Sequence, residues 1–107
     1  MLITIFKIIM QEIKDFIQDY PDFPKKGILF RDITPILANP IIFSKLIDMM
    51  SSSTIIENAD AIVAVDARGF IFGSAIALKT LKPMLVARKP GKLPGDIIES
   101  NYTLEYS

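Results

Sequence analysis

The chain has 107 residues with 12 basic and 12 acidic side chains, so its formal net charge is zero. This length allows one small domain, and a balanced charge argues against a generic binder of nucleic acid or of membrane surfaces, since both attract a basic excess. Cysteine and histidine are absent, which excludes disulfides, thiolate or imidazole metal sites and Ser-His-Asp triads. Any chemistry therefore depends on other polar side chains or on the backbone.

The first nine residues are mostly apolar, and Lys7 interrupts the run. They lack the basic start and the cleavage site of a signal peptide, and they are too few for a membrane span of roughly 20 residues. We expect residues 1–9 to be an N-terminal extension of a cytoplasmic protein, with Met10 as an alternative start. The spacing of apolar residues then predicts a helix over residues 8–19, ending before Pro21.

Turn residues divide the next part of the chain. Residues 20–26 contain two prolines and predict a loop, and the apolar residues 28–30 predict a short strand. Thr34 before Pro35 predicts an N-cap and a short helical turn through Leu37. Asn39 before Pro40 repeats that signal and predicts a helix to about Met50, which buries Ile42, Phe43, Leu46, Ile47 and Met50. The serines at positions 51–53 end it.

The second half of the chain predicts an α/β fold with a parallel sheet flanked by helices. Residues 61–65 and 84–87 are continuous apolar runs, which are typical of parallel strands covered on both faces. Between them, residues 70–81 predict a helix that lies close to the sheet because it carries the small residues Gly73, Ser74, Ala75 and Ala77. Residues 89–95 predict a loop, and residues 97–106 an extended arm.

Basic residues concentrate in a window without acids, between Asp66 and Asp96. Ligands of a parallel sheet bind beyond the carboxyl ends of its strands, and two loops with basic residues follow the two predicted strands. With no acid in the window to neutralise them, we predict that they converge on one phosphate or pyrophosphate. The alternatives are an ordinary turn in which Asp66 pairs with Arg68, and a solvated lysine loop. Walker and Rossmann motifs are absent.

A third candidate site is the segment from Phe23 to Arg31. Gly27 permits an unusual backbone turn, and the apolar residues 28–30 are few enough to form a loop against a flat ligand. Core packing is an equally good explanation of three apolar residues, so the sequence leaves both interpretations open.

Four segments resemble the adenine phosphoribosyltransferase family in order and spacing. Residues 20–35 resemble its amino-terminal signature, residues 65–73 its pyrophosphate loop, residues 88–95 its next loop and residues 102–106 the start of its mobile active-site loop. The resemblance covers residues 10–106. It implies the amino-terminal part of a type I phosphoribosyltransferase fold. Residues 1–107 are then one truncated domain, and the carboxyl-terminal half of the family fold, with its ribose-phosphate loop, has no counterpart here.

The resemblance implies a glycosyltransferase of purine salvage. The family transfers ribosyl phosphate from phosphoribosyl diphosphate to adenine, giving AMP and pyrophosphate, and works as a cytoplasmic homodimer. Its magnesium is carried mainly by the diphosphate, without a direct protein ligand. Phe30 then stacks on adenine, lined by Ile28, Leu29 and the backbone of Arg31.

The remaining site residues are also assigned by the resemblance. The resemblance implies that two groups of residues bind pyrophosphate: Asp66, Ala67, Arg68 and Gly69 in the first, and Arg88, Lys89 and Lys92 in the second. It also implies a non-proline cis peptide in the first group. Glu105 donates a proton near the adenine imidazole, and Tyr106 covers the site. We expect this truncated chain to be inactive alone. The alternatives are a non-catalytic regulator of the same descent that binds purine ligands, and an inactive remnant.

Overall fold

The structure is a computed structural model that describes residues 2–100, with only the backbone for Leu2, and the chain divides into two compact units, residues 1–59 and 60–107. The first unit contains α1 (Leu2–Lys14), β1 (Gln18–Pro21), β2 (Leu29–Asp32), α2 (Thr34–Leu37), α3 (Pro40–Ser51) and α4 (Thr54–Glu57). The second unit contains β3 (Ile62–Val65), α5 (Arg68–Thr80) and β4 (Met84–Ala87). The predicted α/β class is therefore confirmed.

The core of the first unit is a cluster of three isoleucines from three helices. Ile13 of α1, Ile36 of α2 and Ile42 of α3 are at most 6% exposed. Lys45 Nζ, on α3, donates to Glu12 Oε1 of α1 at 2.9 Å and ties the same two helices together at the surface. Partly buried apolar side chains complete the cluster: Ile9, Phe16, Ile17, Ile33, Phe43, Leu46 and Met49.

Helix α1 differs from its prediction at both ends. It begins at Leu2, so the expected extension continues the helix, and it ends at Lys14, whereas the sequence predicted residues 8–19. Residues 18–21 pair with β2 instead, and this pairing supplies backbone hydrogen bonds that local periodicity cannot foresee. In residues 2–100, no helix has both the length and the apolarity that crossing a bilayer requires.

Strands β1 and β2 form an antiparallel hairpin that the sequence did not predict. Gln18 pairs with Asp32 and Pro21 pairs with Leu29, so the predicted strand at residues 28–30 exists but is shifted to residues 29–32. The predicted loop at residues 20–26 begins at residue 22, because its first two residues belong to β1. The hairpin therefore presents residues 22–28 as its connecting loop.

The two proline signals have different outcomes. Asn39 caps α3 as predicted, since its Oδ1 accepts from the backbone N–H groups of Ile41 and Ile42 at 3.1 Å. Thr34 is not a cap, because α2 already begins at this residue. Its N–H and hydroxyl instead donate to Asp32 Oδ1 at 2.9 and 2.8 Å. The Asp32 carboxylate, two residues earlier, therefore accepts from the first backbone N–H of α2.

Helix α3 buries four of its five predicted residues. Met50 is 38% exposed, so that prediction is wrong, and Met49 packs on the core in its place. The helix ends within the predicted serine run, and the short helix α4, which follows it, was not predicted because one turn is too short to show a period. The four residues that are buried or half-buried are Ile42, Phe43, Leu46 and Ile47.

The second unit is the predicted strand–helix–strand unit. β3 and β4 are parallel, with Ile62 opposite Met84 and Val65 opposite Ala87. Helix α5 connects them and packs on both strands. It begins two residues earlier than predicted and ends at Thr80, one residue earlier than predicted. Leu81 is its C-cap and has a left-handed φ of 55°.

The prediction that the parallel strands are covered on both faces is wrong for both strands, since Leu85 and Val86 of β4 are 54% and 41% exposed. The pattern is clearest in β3. Ile62 and Ala64 are buried, but Val63 and Val65 are 63% and 59% exposed. Alternate residues of a strand point to opposite faces, and within residues 60–100 helix α5 packs on one of these faces. Apolar residues therefore mark both faces of β3, although only one face is covered.

We predict that Gly73→Ala destabilises the fold. A Cβ at Gly73 of α5 lies 2.5 Å from the Ala64 Cβ of β3, which forces the helix away from the strand. The overpacking cost of about 1–3 kcal/mol exceeds the helix propensity gain of up to about 1 kcal/mol. Gly69→Ala is the matched control, since its Cβ meets Val65 Cβ at an ordinary 3.7 Å. Urea unfolding measures both variants, and equal stabilities contradict the prediction.

Candidate functional site

Two loops leave the same edge of the parallel sheet. Asp66 follows β3, and Ala87 is the last residue of β4. The backbone N–H of Asp66 donates to the carbonyl oxygen of Ala87 at 3.0 Å. Arg88 follows Ala87 directly. The sequence prediction that both basic loops begin at the same end of the two strands is therefore confirmed.

An ion pair joins the two loops. Arg88 Nε donates to Asp66 Oδ2 at 3.2 Å, so Asp66 pairs across the strands and not with Arg68 as the ordinary-turn interpretation required. The window itself contains no acid, as predicted, but Asp66 at its border neutralises one cation of the second loop, Arg88. The parallel register places Asp66, which precedes the acid-free window, beside Arg88, the first residue of the second loop.

The first loop combines a helix start with an exposed arginine. Arg68 is the first residue of α5, and the N-cap Ala67 makes no side-chain capping bond. Backbone N–H groups of the first turn of a helix bind anions readily. The peptide bond between Asp66 and Ala67 is cis, as the family resemblance implied. Six residues line a shallow open depression here: Val65, Asp66, Ala67, Arg68, Gly69 and Ile71.

The second loop is shaped by a turn and two glycines. The Lys92 N–H donates to the Lys89 carbonyl at 3.3 Å, and Gly91 and Gly95 have φ values of 81° and 77°, which favour glycine. Lys89 and Lys92 are exposed. The two loops therefore carry four cations against the single carboxylate of Asp66, and the electrostatics of this edge favour an anion. The four cations are Arg68, Arg88, Lys89 and Lys92.

The third candidate segment is not part of the core. Ile28 and Leu29 are 40% and 48% exposed, and Phe30 is only half-buried and lies outside the core cluster. Its ring meets the Phe23 ring edge-on, with centroids 5.2 Å apart. Core packing is thus the poorer explanation of these apolar residues, and an open aromatic surface is what a flat ligand needs.

The hairpin loop holds Phe23 in place for this contact. Gly27 has a φ of 87° and its N–H donates to Asp22 Oδ1 at 2.8 Å, while the Phe23 N–H donates to the Ile28 carbonyl at 3.1 Å. The sequence predicted no role for Phe23. The only signal was its place at the start of the candidate segment, because the contact with Phe30 depends on a hairpin that was not predicted.

The structure places Arg31 among the predicted site residues that remain, whereas two others fall beyond residue 100. Glu105, Tyr106 and residues 101–106 of the predicted arm lie outside the described residues. Arg31 is exposed, and its Nε lies 4.0 Å from Asp19 Oδ1 on the neighbouring strand. Within residues 2–100, no group of three or more Asp or Glu side chains is suited to hold a metal ion.

Comparisons with known proteins identify close relatives. The adenine phosphoribosyltransferase of Prochlorococcus marinus (strain MIT 9215) is 60% identical over 99 residues, which are 92% of this chain and 58% of that protein. The crystal structure of the Saccharomyces cerevisiae enzyme, complexed with an imino-altritol bisphosphate and adenine, matches with a TM-score of 0.83 and 39% identity, over 94% of this chain and 59% of that one.

A second structure gives the same result. Adenine phosphoribosyltransferase from Thermoanaerobacter pseudethanolicus matches with a TM-score of 0.83 and 43% identity, over 91% of this chain and 56% of that one. No family model matches the chain. The chain spans somewhat more than half the length of the relatives it matches, so its fold is a part of theirs.

We predict that inorganic pyrophosphate binds at the edge formed by the two loops. Arg68→Gln and Lys92→Gln each remove one positive charge and should weaken binding about threefold or more, with a smaller dependence on salt. Lys79→Gln is the control, because Lys79 lies on α5 about 16 Å from Arg68 along the helix axis. Isothermal titration measures the three variants, and equal losses in all three indicate a diffuse charge effect without a site.

Proposed function

We propose that the chain belongs to the adenine phosphoribosyltransferase family and that it supplies the adenine-binding and pyrophosphate-binding parts of such an enzyme. The reaction transfers ribosyl phosphate from phosphoribosyl diphosphate to adenine and releases AMP and pyrophosphate, as in purine salvage. The observation that carries the proposal is the meeting of two basic loops at one sheet edge, joined by Asp66 and Arg88, in a chain with 60% identity to a relative of that name.

Departure of the diphosphate needs positive charge and backbone donors. Arg68 offers a planar fork suited to phosphate, the first turn of α5 offers N–H groups, and Lys89 and Lys92 add charge. Such groups stabilise the charge that develops on the leaving diphosphate, without a protein nucleophile. Magnesium accompanies the diphosphate in this proposal, as the family resemblance implies.

Adenine binding belongs to the hairpin of the first unit. Phe30 stacks on the base, Ile28 and Leu29 line its edge, and the backbone of Arg31 contributes polar contacts. The exposure of Ile28 and Leu29 and the half-burial of Phe30 support this assignment. Glu105 as the proton donor and Tyr106 as a cover complete the proposed site.

The chain of 107 residues is proposed to be inactive alone. Its relatives are longer, and this chain spans 58% of the first of them. The groups that hold the ribose 5′-phosphate belong to the part it does not span, and positioning of the sugar supplies much of the rate. In this proposal residues 1–107 form one truncated domain of a cytoplasmic enzyme that is a homodimer at full length.

We expect Phe30→Ala to weaken adenine binding about tenfold or more, because stacking of a base on an aromatic ring contributes about 1–3 kcal/mol. Fluorescence or calorimetric titration of adenine measures this effect. Phe6→Ala is the control, because it removes a phenylalanine ring outside the hairpin. Phe6 lies on α1 and is 50% exposed. An unchanged affinity in Phe30→Ala refutes the adenine assignment.

We expect no AMP formation from adenine, phosphoribosyl diphosphate and magnesium when residues 1–107 are purified and assayed. The Prochlorococcus relative serves as the positive control under the same conditions. Retained binding of adenine and pyrophosphate without turnover supports the proposal. Turnover near that of the relative refutes the inactivity of the chain, and absence of both binding activities favours an inactive remnant.

A further inference from the structure

The contact between Asp66 and Arg88 places a carboxylate at the edge where pyrophosphate is proposed to bind. The Asp66 side chain is 17% exposed, and its Oδ2 lies 3.2 Å from Arg88 Nε. An ionised carboxylate repels a pyrophosphate and has no hydrogen to donate to it. Asp66 therefore has the wrong charge and the wrong hydrogen-bonding groups for a direct contact with this ligand.

Arg88 gives the carboxylate a different use. A guanidinium carries five N–H donors in one plane, and the contact with Asp66 engages Nε. The donors on the two terminal nitrogens suit bidentate contact with a phosphate. An arginine that is already held by a carboxylate also loses less rotamer freedom when the ligand binds.

We propose that Asp66 is a positioning residue, which fixes the Arg88 guanidinium for pyrophosphate and couples the second loop to the first. The inference rests on the proposed function and deepens it, because it assigns Asp66 a role other than direct ligand contact. The turn closed by the Lys92 N–H and the Lys89 carbonyl begins directly after Arg88. Holding Arg88 therefore also fixes the start of that turn.

The side chain of Asp66 can be changed without removing the backbone bond that anchors this residue. The Asp66 N–H donates to the Ala87 carbonyl at 3.0 Å, and this bond does not involve the carboxylate. Asp66→Ala removes the contact with Arg88. Asp66→Asn keeps the size of the side chain and one acceptor oxygen but removes the charge, so it serves as the conservative variant.

The test is calorimetric titration of inorganic pyrophosphate into residues 1–107 and their variants. We expect Asp66→Ala to weaken binding about fivefold or more and Asp66→Asn to lie between it and the wild type. In an Arg88→Ala background, Asp66→Ala should change binding by less than about twofold. Adenine binding, which is proposed for the first unit, should stay unchanged in all variants, and urea unfolding checks that the second unit of each variant is folded.

Two results overturn the inference. Tighter pyrophosphate binding by both Asp66→Ala and Asp66→Asn means that repulsion is the main effect of the carboxylate. Independent, additive losses from Asp66→Ala and Arg88→Ala mean that the two residues do not act together.

A ligand-free measurement separates this inference from the proposed function. The Arg88 Nε–H signal in NMR spectra should exchange with water more slowly in the wild type than in Asp66→Ala, and equal exchange refutes the positioning role. A wild-type chain that binds no pyrophosphate refutes the proposed function of this edge and the inference with it. A wild-type chain that binds pyrophosphate no better than Asp66→Ala refutes the inference alone.

Discussion

The parallel register of β3 and β4 is the constraint on which the second unit depends. Because Val65 lies opposite Ala87, the residue after each strand emerges at the same edge, and Asp66 reaches Arg88 although 22 positions separate them. A slip of one residue would turn every side chain of the slipped strand to the opposite face. The register in turn relies on close packing of α5 against β3, which the missing side chain of Gly73 permits.

The chemistry of the candidate site follows from charge and backbone geometry more than from reactive side chains. A chain without cysteine or histidine still has cations, a helix start and shaped glycine turns. Those groups recognise anions, and anion recognition is what a diphosphate leaving group requires. The absence of the usual nucleophiles is therefore compatible with the proposed transfer reaction.

The sequence predicted the second unit better than the first. Continuous apolar runs predicted β3 and β4, and a stretch with several small residues predicted α5, all within two residues at each end. These elements were predictable because their neighbours along the chain are also their partners in space. The hairpin was missed because the pairing of Tyr20 with Phe30 is a contact between segments, and a helical period continued through residue 19. The Asn39 cap was predictable because its bonds reach only three residues ahead.

The site shows the same division. The convergence of the loops followed from two strands of equal direction, which a strand–helix–strand pattern implies. The ion pair between Arg88 and Asp66 could not be predicted in this way, because it depends on which acid the strand register places next to Arg88. The contact between Phe23 and Phe30 likewise depends on the closure of a loop whose turn residues, Asp22 and Gly27, are separated by five positions.

The open face of β3 has a thermodynamic consequence. Val63 and Val65 would release ordered water if another polypeptide covered them. A partner that binds only the folded state stabilises that state, and this stabilisation increases with the logarithm of the partner's concentration. The folding free energy of this chain is therefore a property of its surroundings as well as of its sequence. Its melting temperature should be quoted together with what else is present in the solution.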